Sequence, residues 1–257
     1  MPNLIKEYRD AIKISRLNRL RFKKFKTERM PKIAIIDGPL DESRIALCKE
    51  YQDVLLDDSS ICQGKVINGA TPALAHSCAI FDRIRKWVKK SDIYAISIFK
   101  QELKTSSKTL FNAIVAAIKL DVDIINVSVG INDLSEEVQA NMRDVCDYAE
   151  KQGIIIVAAS KRKQQLVPAI FNNVITVQGE DLGSPGTFFV KTKPSFCVIA
   201  HGGAQTVRAG GKIHVIEGSS FATAEVSGII ARLITKYGRM SLMECRKYLP
   251  ECANGEW

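Results

Sequence analysis

Residues 123–160, DIINVSVGINDLSEEVQANMRDVCDYAEKQGIIIVAAS, decide the fold. They open on a short apolar run, Asp123–Gly130, and close on another, Gly153–Ser160, both rich in Ile and Val. Between them, Leu134–Gln152 has helix-forming composition without Gly or Pro and ends at Gly153, a residue suited to closing a helix. Neither strand-like run alternates polar with apolar residues, so each is expected to be covered on both faces. A strand, a helix and a second strand of this kind make a βαβ unit, whose strands lie parallel in one sheet.

The same alternation continues on both sides. KIAIID (Lys32–Asp37) reads as a buried strand stopped by Gly38-Pro39, Ala75–Lys90 as a helix after a Gly-Ala-Thr-Pro turn, and Tyr94–Phe99 as a strand. Thr105–Leu120 carries an apolar stripe of Leu110, Ile114, Ala117 and Ile118 and reads as a helix. Asn173–Gly179 reads as a strand, and Ser219–Tyr237 as a helix with Val226, Ile229, Ile230 and Leu233 facing a core. Asp181–Val215 is rich in Gly, Pro and Ser with short β runs, and hairpins on the sheet edge are expected there. The fold class is therefore α/β: three layers, with a mainly parallel central sheet and helices on both faces.

Charge divides the chain unevenly. Of a net +9 over 257 residues, +8 falls in residues 1–32, where eleven basic side chains meet three acidic ones. Leu4–Thr27 has a helical pattern, so residues 1–31 are expected to form a basic helical arm and residues 32–257 one near-neutral domain. Such an arm suits an acidic partner or leader peptide. Nucleic-acid binding is disfavoured, since it accounts for the arm and for nothing downstream. There is no apolar run long enough to span a membrane. The charged N-terminus lacks the apolar core of a signal peptide, and the seven scattered cysteines form no CxxC pair; a cytoplasmic protein with free thiols is expected, without a zinc site.

Ligands of α/β sheets gather at the carboxyl ends of strands, and three residues there or at helix starts bear chemistry: Asp37, His76 and Ser220. A nucleophilic serine needs an imidazole to take its proton, and that imidazole needs a carboxylate to orient it and stabilise its charged form. Taken singly, each has an ordinary role as a cap or a packed polar residue.

In order along residues 32–235, IAIIDGPLDE, LAHSCAIFDRI, DIINVSVG, IIIVAASK, FCVIAHGG and EGSSFATAEVSGIIARLI resemble the blocks of the subtilisin-like serine proteases. The most specific is GSSFATAEVSG, which is similar to that family's GTSMASPHVAG. The resemblance implies a serine endopeptidase with Ser220 as nucleophile, His76 as general base and then acid, and Asp37 as the orienting carboxylate. It further implies that Ser128, Val129 and Gly130 pair with an extended peptide substrate, and that Ala158, Ala159 and Ser160 form the opposite wall of the pocket for the residue before the cleaved bond. Neither a cofactor nor a metal is expected, and no calcium loop is recognisable. The absence of a separate pro-region suggests a dedicated peptide-maturation enzyme that removes a leader.

The chain departs from the family at Lys161, which stands where an asparagine amide serves the oxyanion. Two readings stay open: Lys161, Gln164 or Gln165 donates instead, or the site is a weak or inactive one that binds a peptide or partner. Lys161, Arg162 and Lys163 form a cationic run beside the pocket, which predicts a preference for Glu or Asp before the cleaved bond; its plainer reading is a solvated basic loop.

Overall fold

The computed structural model describes residues 29–54, 60–66, 69–132, 134–161 and 164–257. The helix expected over Leu4–Thr27, and the side chains of Arg162 and Lys163, lie outside the described residues. Along the chain the elements are β1 (Lys32–Asp37), α1 (Glu42–Ile45), β2 (Glu50–Val54), β3 (Ile61–Gln63), α2 (Pro72–Trp87), β4 (Asp92–Ser97), α3 (Ser107–Lys119) and β5 (Ile124–Val127). Then follow α4 (Glu136–Lys151), β6 (Ile155–Ser160), β7 (Ile175–Glu180), β8 (Phe188–Lys191), β9 (Cys197–His201), β10 (Gln205–Ala209), β11 (Lys212–Ile216), α5 (Ser219–Tyr237) and α6 (Leu242–Cys252).

One sheet takes the order β3-β2-β4-β1-β5-β6-β7-β9-β8, and only its two edge pairings, β2 with β3 and β8 with β9, are antiparallel. Successive β1 residues feed opposite layers. Ile33 and Ile35 join α2, α5 and α6 on one face, while Ala34 and Ile36 join α3 and α4 on the other. Full burial of each such isoleucine contributes about 1.5–3 kcal/mol relative to exposure, which is why these short apolar runs hold the centre of the sheet.

Every helix start but that of α5 follows a side-chain cap. Thr71 Oγ1 accepts from the Leu74 amide at 3.1 Å and Pro72 supplies the first helical residue, so α2 begins three residues before the expected Ala75 and stops at Trp87. Ser106 caps α3 in the same way, accepting from the Thr109 amide at 3.0 Å. Arg29, the first described residue of the basic segment, pairs with the buried Asp123 carboxylate at 2.5 Å, while the Lys32 amide donates to its other oxygen at 2.9 Å. These contacts fasten the entry to β1 against the start of β5.

The stretch expected to form edge hairpins does so in part: β8 and β9 make an antiparallel hairpin at one edge of the sheet. β9 also pairs in parallel with β7 and so lies inside the sheet, leaving β8 as the edge strand at that end. All five β9 residues are buried, which a strand with two neighbours requires. β10 and β11 form a hairpin, but as a separate two-stranded ribbon rather than part of the main sheet. None of the seven cysteines forms a disulfide. Among the described residues no helix is long and apolar enough to cross a membrane.

Candidate active site

β1 ends at Asp37 and α2 returns over it. The return is tight: a Cβ on Gly38 would lie 2.7 Å from the Ala73 carbonyl oxygen, so only glycine lets the first turn of α2 approach the end of the strand. Ser77 Oγ reinforces the contact, lying within hydrogen-bond reach of the Pro39 and Ala73 carbonyls. His76, in that turn, is thereby set against Asp37. Its Nδ1 lies 2.8 Å from Asp37 Oδ1, and both side chains are buried. A carboxylate only accepts, so Nδ1 carries the proton and Nε2 holds the lone pair of the neutral ring. The Gly38 amide also donates to Asp37 Oδ1, at 2.8 Å, whereas Oδ2 has no hydrogen-bond partner among the described residues.

Burial alone would lower the His76 pKa; the charge and hydrogen bond of Asp37 outweigh it and hold the imidazole above the ordinary value of 6.5. The sign follows. The ion pair stabilises the fold fully below the unfolded histidine value, and that contribution is lost as pH rises through the raised folded value. NMR titration of His76 is expected to give a midpoint above 6.5 in the native protein and a lower one in Asp37→Asn, where only burial remains. An unchanged midpoint in the variant would show that the carboxylate does not govern the ring.

α5 carries Ser220 in its first turn, packed beside α2. The ring of Phe221, the next residue, meets the His76 imidazole edge-on with centroids 6.4 Å apart. The Ser220 hydroxyl is half-buried and donates to the Ser128 carbonyl at 3.0 Å, so the structure turns it toward the segment after β5. Among the described residues no side chain caps the first turn of α5, whose N-cap is Gly218. The Gly179 amide donates to Ser219 Oγ at 3.1 Å and anchors the same turn to β7.

Ser128 and its neighbours continue β5, and Ala158, Ala159 and Ser160 close β6 beside it, in a register that pairs Val127 with Ala158. The structure thus brings the two expected walls together. A buried relay not expected from the sequence steadies one of them: Ser227 Oγ of α5 donates to Asn126 Oδ1 at 2.9 Å, and Asn126 Nδ2 donates to Ser128 Oγ at 2.8 Å. The signal was a lone amide within the apolar run DIINV. Lys161 follows β6 and is exposed, while Arg162, expected at the pocket mouth, lies outside the described residues. Beside His76 opens a depression of about 380 Å³, lined by Ala75, Leu103, His214 and Ile216 among others.

Residues 31–255 match the profile of the subtilase family. The chain belongs to this family of subtilisin-like serine endopeptidases. Subtilisin of Bacillus pumilus is 23% identical over 238 residues, 86% of this chain and 83% of that one. Subtilisin E of Bacillus subtilis (strain 168) shows the same identity, but the match spans only 60% of its length. Among solved structures, the nisin leader peptidase NisP from Lactococcus lactis superposes with a TM-score of 0.70 at 16% identity, covering 88% of this chain and 83% of its own. A lanthipeptide protease does so with a TM-score of 0.66 at 17% identity over 86% and 79%. The prenylagaramide maturation protease PagA has a TM-score of 0.61 at 19% identity over 81% and 77%. At these identities the superpositions establish the shared fold.

Proposed function

We propose that the protein hydrolyses peptide bonds with Ser220 as nucleophile, His76 as base and Asp37 as the carboxylate that orients it. The observation that carries this reading is the buried Asp37–His76 bond on a helix packed against the one that presents Ser220. When substrate binds, Ser220 Oγ leaves the Ser128 carbonyl and attacks the scissile carbonyl carbon as Nε2 of His76 takes its proton. The oxyanion gathers at the first-turn amides of α5 and the Lys161 ammonium. His76 then gives its proton to the departing amine, which leaves Ser220 acylated. Water, deprotonated by the same ring, hydrolyses that ester and restores the serine.

The substrate is an extended peptide hydrogen-bonded along Ser128, Val129 and Gly130, with acidic residues near the cut drawn toward Lys161 and Arg162. Its role is maturation of a dedicated precursor by leader removal in the cytoplasm, the basic residues of 1–31 meeting the precursor outside the cleft. The likeness to a nisin leader peptidase, a lanthipeptide protease and a maturation protease supports this role.

A second reading, a weak or inactive peptide binder, is favoured by one contact: the Ser220 hydroxyl rests on Ser128. A fluorophosphonate probe separates the two. Mass spectrometry is expected to find one adduct on Ser220 in the full chain and none in Ser220→Ala; a folded native protein that takes no adduct is the binder.

A further inference from the structure

Behind the turn that carries Ser220, β9 ends at His201 and the chain runs on through Gly202 and Gly203. The Gly218 amide donates to the Gly202 carbonyl at 2.8 Å, and the Gly202 amide to the Glu180 carbonyl at 2.9 Å, so the start of α5 is fastened to the end of β9 and through it to β7. The contact is backbone on backbone: a Cβ on Gly202 would fall 2.8 Å from the Gly218 carbonyl oxygen. Gly203 lies against the His201 ring, where a Cβ would meet Cε1 at 2.6 Å. That ring is buried, and its Nδ1 has two neighbours of opposite kind. The Leu182 amide donates to it at 3.2 Å, which makes the ring neutral with its proton on Nε2, and the exposed Asp181 carboxylate stands 3.7 Å away. Through Nδ1 a neutral ring bonds the amide and not the carboxylate; a protonated ring does the reverse.

We infer that His201 is a proton-operated latch on the nucleophile's turn: neutral, it accepts from Leu182 and the turn is seated; protonated, its Nδ1 donates to Asp181, and the shift of the ring draws Gly202 away from Gly218. The inference goes beyond the proteolytic reading, on which only the consequence for Ser220 rests. Charges from several elements bear on the ring. Burial and the Arg83 guanidinium of α2 oppose a positive charge there and outweigh Asp181, holding the imidazole below its ordinary value of 6.5. Glu180 is its register partner on β7, and Glu225 of α5 is engaged with Arg83. His76 is held above 6.5, so on acidification it takes its proton first and His201 second. The first protonation removes the base and leaves the site in shape; the second unseats the serine.

Two readouts on the full chain test the latch. Amide hydrogen exchange, corrected for its intrinsic pH dependence, is expected to show Leu182 and Gly218 losing protection together, by about tenfold or more, as pH falls through the His201 midpoint followed by NMR. His201→Gln, whose side-chain carbonyl accepts without titrating, should keep both amides protected throughout. Asp181→Asn, an exposed change that serves even if the first variant does not fold, should lower the His201 midpoint because the charged ring loses its acceptor. Fluorophosphonate labelling of native Ser220 should slow about tenfold per pH unit below the His76 midpoint and about a hundredfold per unit below that of His201, but only about tenfold throughout in His201→Gln. Leu182 protection that ignores pH overturns the latch, as does an unmoved midpoint in Asp181→Asn. Loss at Leu182 without loss at Gly218 uncouples the ring from the turn and rejects it, and so does the steeper labelling slope persisting in His201→Gln. If the native protein takes no label, the nucleophile reading fails by itself, and exchange at Leu182 and Gly218 still decides the latch.

Discussion

Ser220→Ala is expected to reduce peptide hydrolysis on the order of 10⁶-fold in kcat while changing KM little, because the hydroxyl forms its bond only as the transition state is reached. His76→Ala should match it, since a hydroxyl with no base to take its proton is nearly as poor a nucleophile as none. Asp37→Asn should cost about 10⁴-fold, because the amide can present its NH₂ to Nδ1 and so select the wrong tautomer of the ring. The three losses should not add: a double variant lacking Ser220 and His76 is expected to be no slower than either single one. Lys161→Ala separates the oxyanion assignments. If its ammonium serves the oxyanion, about 10²–10³-fold is lost from kcat; a change below about threefold moves that role to the amides of α5.

Glu225→Ala is expected to lower stability by about 3–5 kcal/mol. Arg83 of α2 and Glu225 of α5 face each other at 2.8 Å with side chains only 2% and 1% exposed, and Trp87 Nε1 donates to the other carboxylate oxygen at 2.8 Å. The approach is not aligned as a hydrogen bond, and the remaining nitrogens of Arg83 have no hydrogen-bond partner among the described residues. Burial pushes the acid up and the guanidinium down, each toward its neutral form, against the attraction of the partner. Removing Glu225 strands a cation in an apolar layer. Replacing both residues with apolar ones of like volume should recover most of the loss, since the pair itself gains little over good packing. Chemical denaturation of the single and double variants measures both; a single variant within about 1 kcal/mol of native would show that water reaches Arg83.

The interior of the sheet was readable from the chain because β-branched runs alternate with helices: KIAIID is a strand as expected, and within the expected DIINVSVG and GIIIVAAS the strands are Ile124–Val127 and Ile155–Ser160. The polar edges were not. EYQDV and ICQ carry no alternating apolar run to betray β2 and β3, and the parallel pairing of β9 with β7 is hidden by the turn residues beside it in sequence. α6 was overlooked because Pro250 breaks its helical composition, although Ser241 and Glu244 form a capping box that marks its start. Within the site, Asp37 and His76, singled out at a strand end and a helix start, lie in hydrogen-bond contact. The Arg83–Glu225 pair was not legible because each residue acquires meaning only from a partner 142 residues away. On its own helix, each of those charges looks like a solvated one.

The burial of α5 bears on the order in which the protein becomes active. Its residues Phe221 to Ala231 are all buried, against β5, β6, β7 and α2. A helix so enclosed has little stability before the surface that encloses it exists, and that surface draws on strands from distant parts of the chain. The serine therefore reaches its place only as the domain closes. A chain still being synthesised, or one partly unfolded, holds its aspartate and histidine apart from any nucleophile. On the proposed roles, folding is then the event that brings the nucleophile to its base.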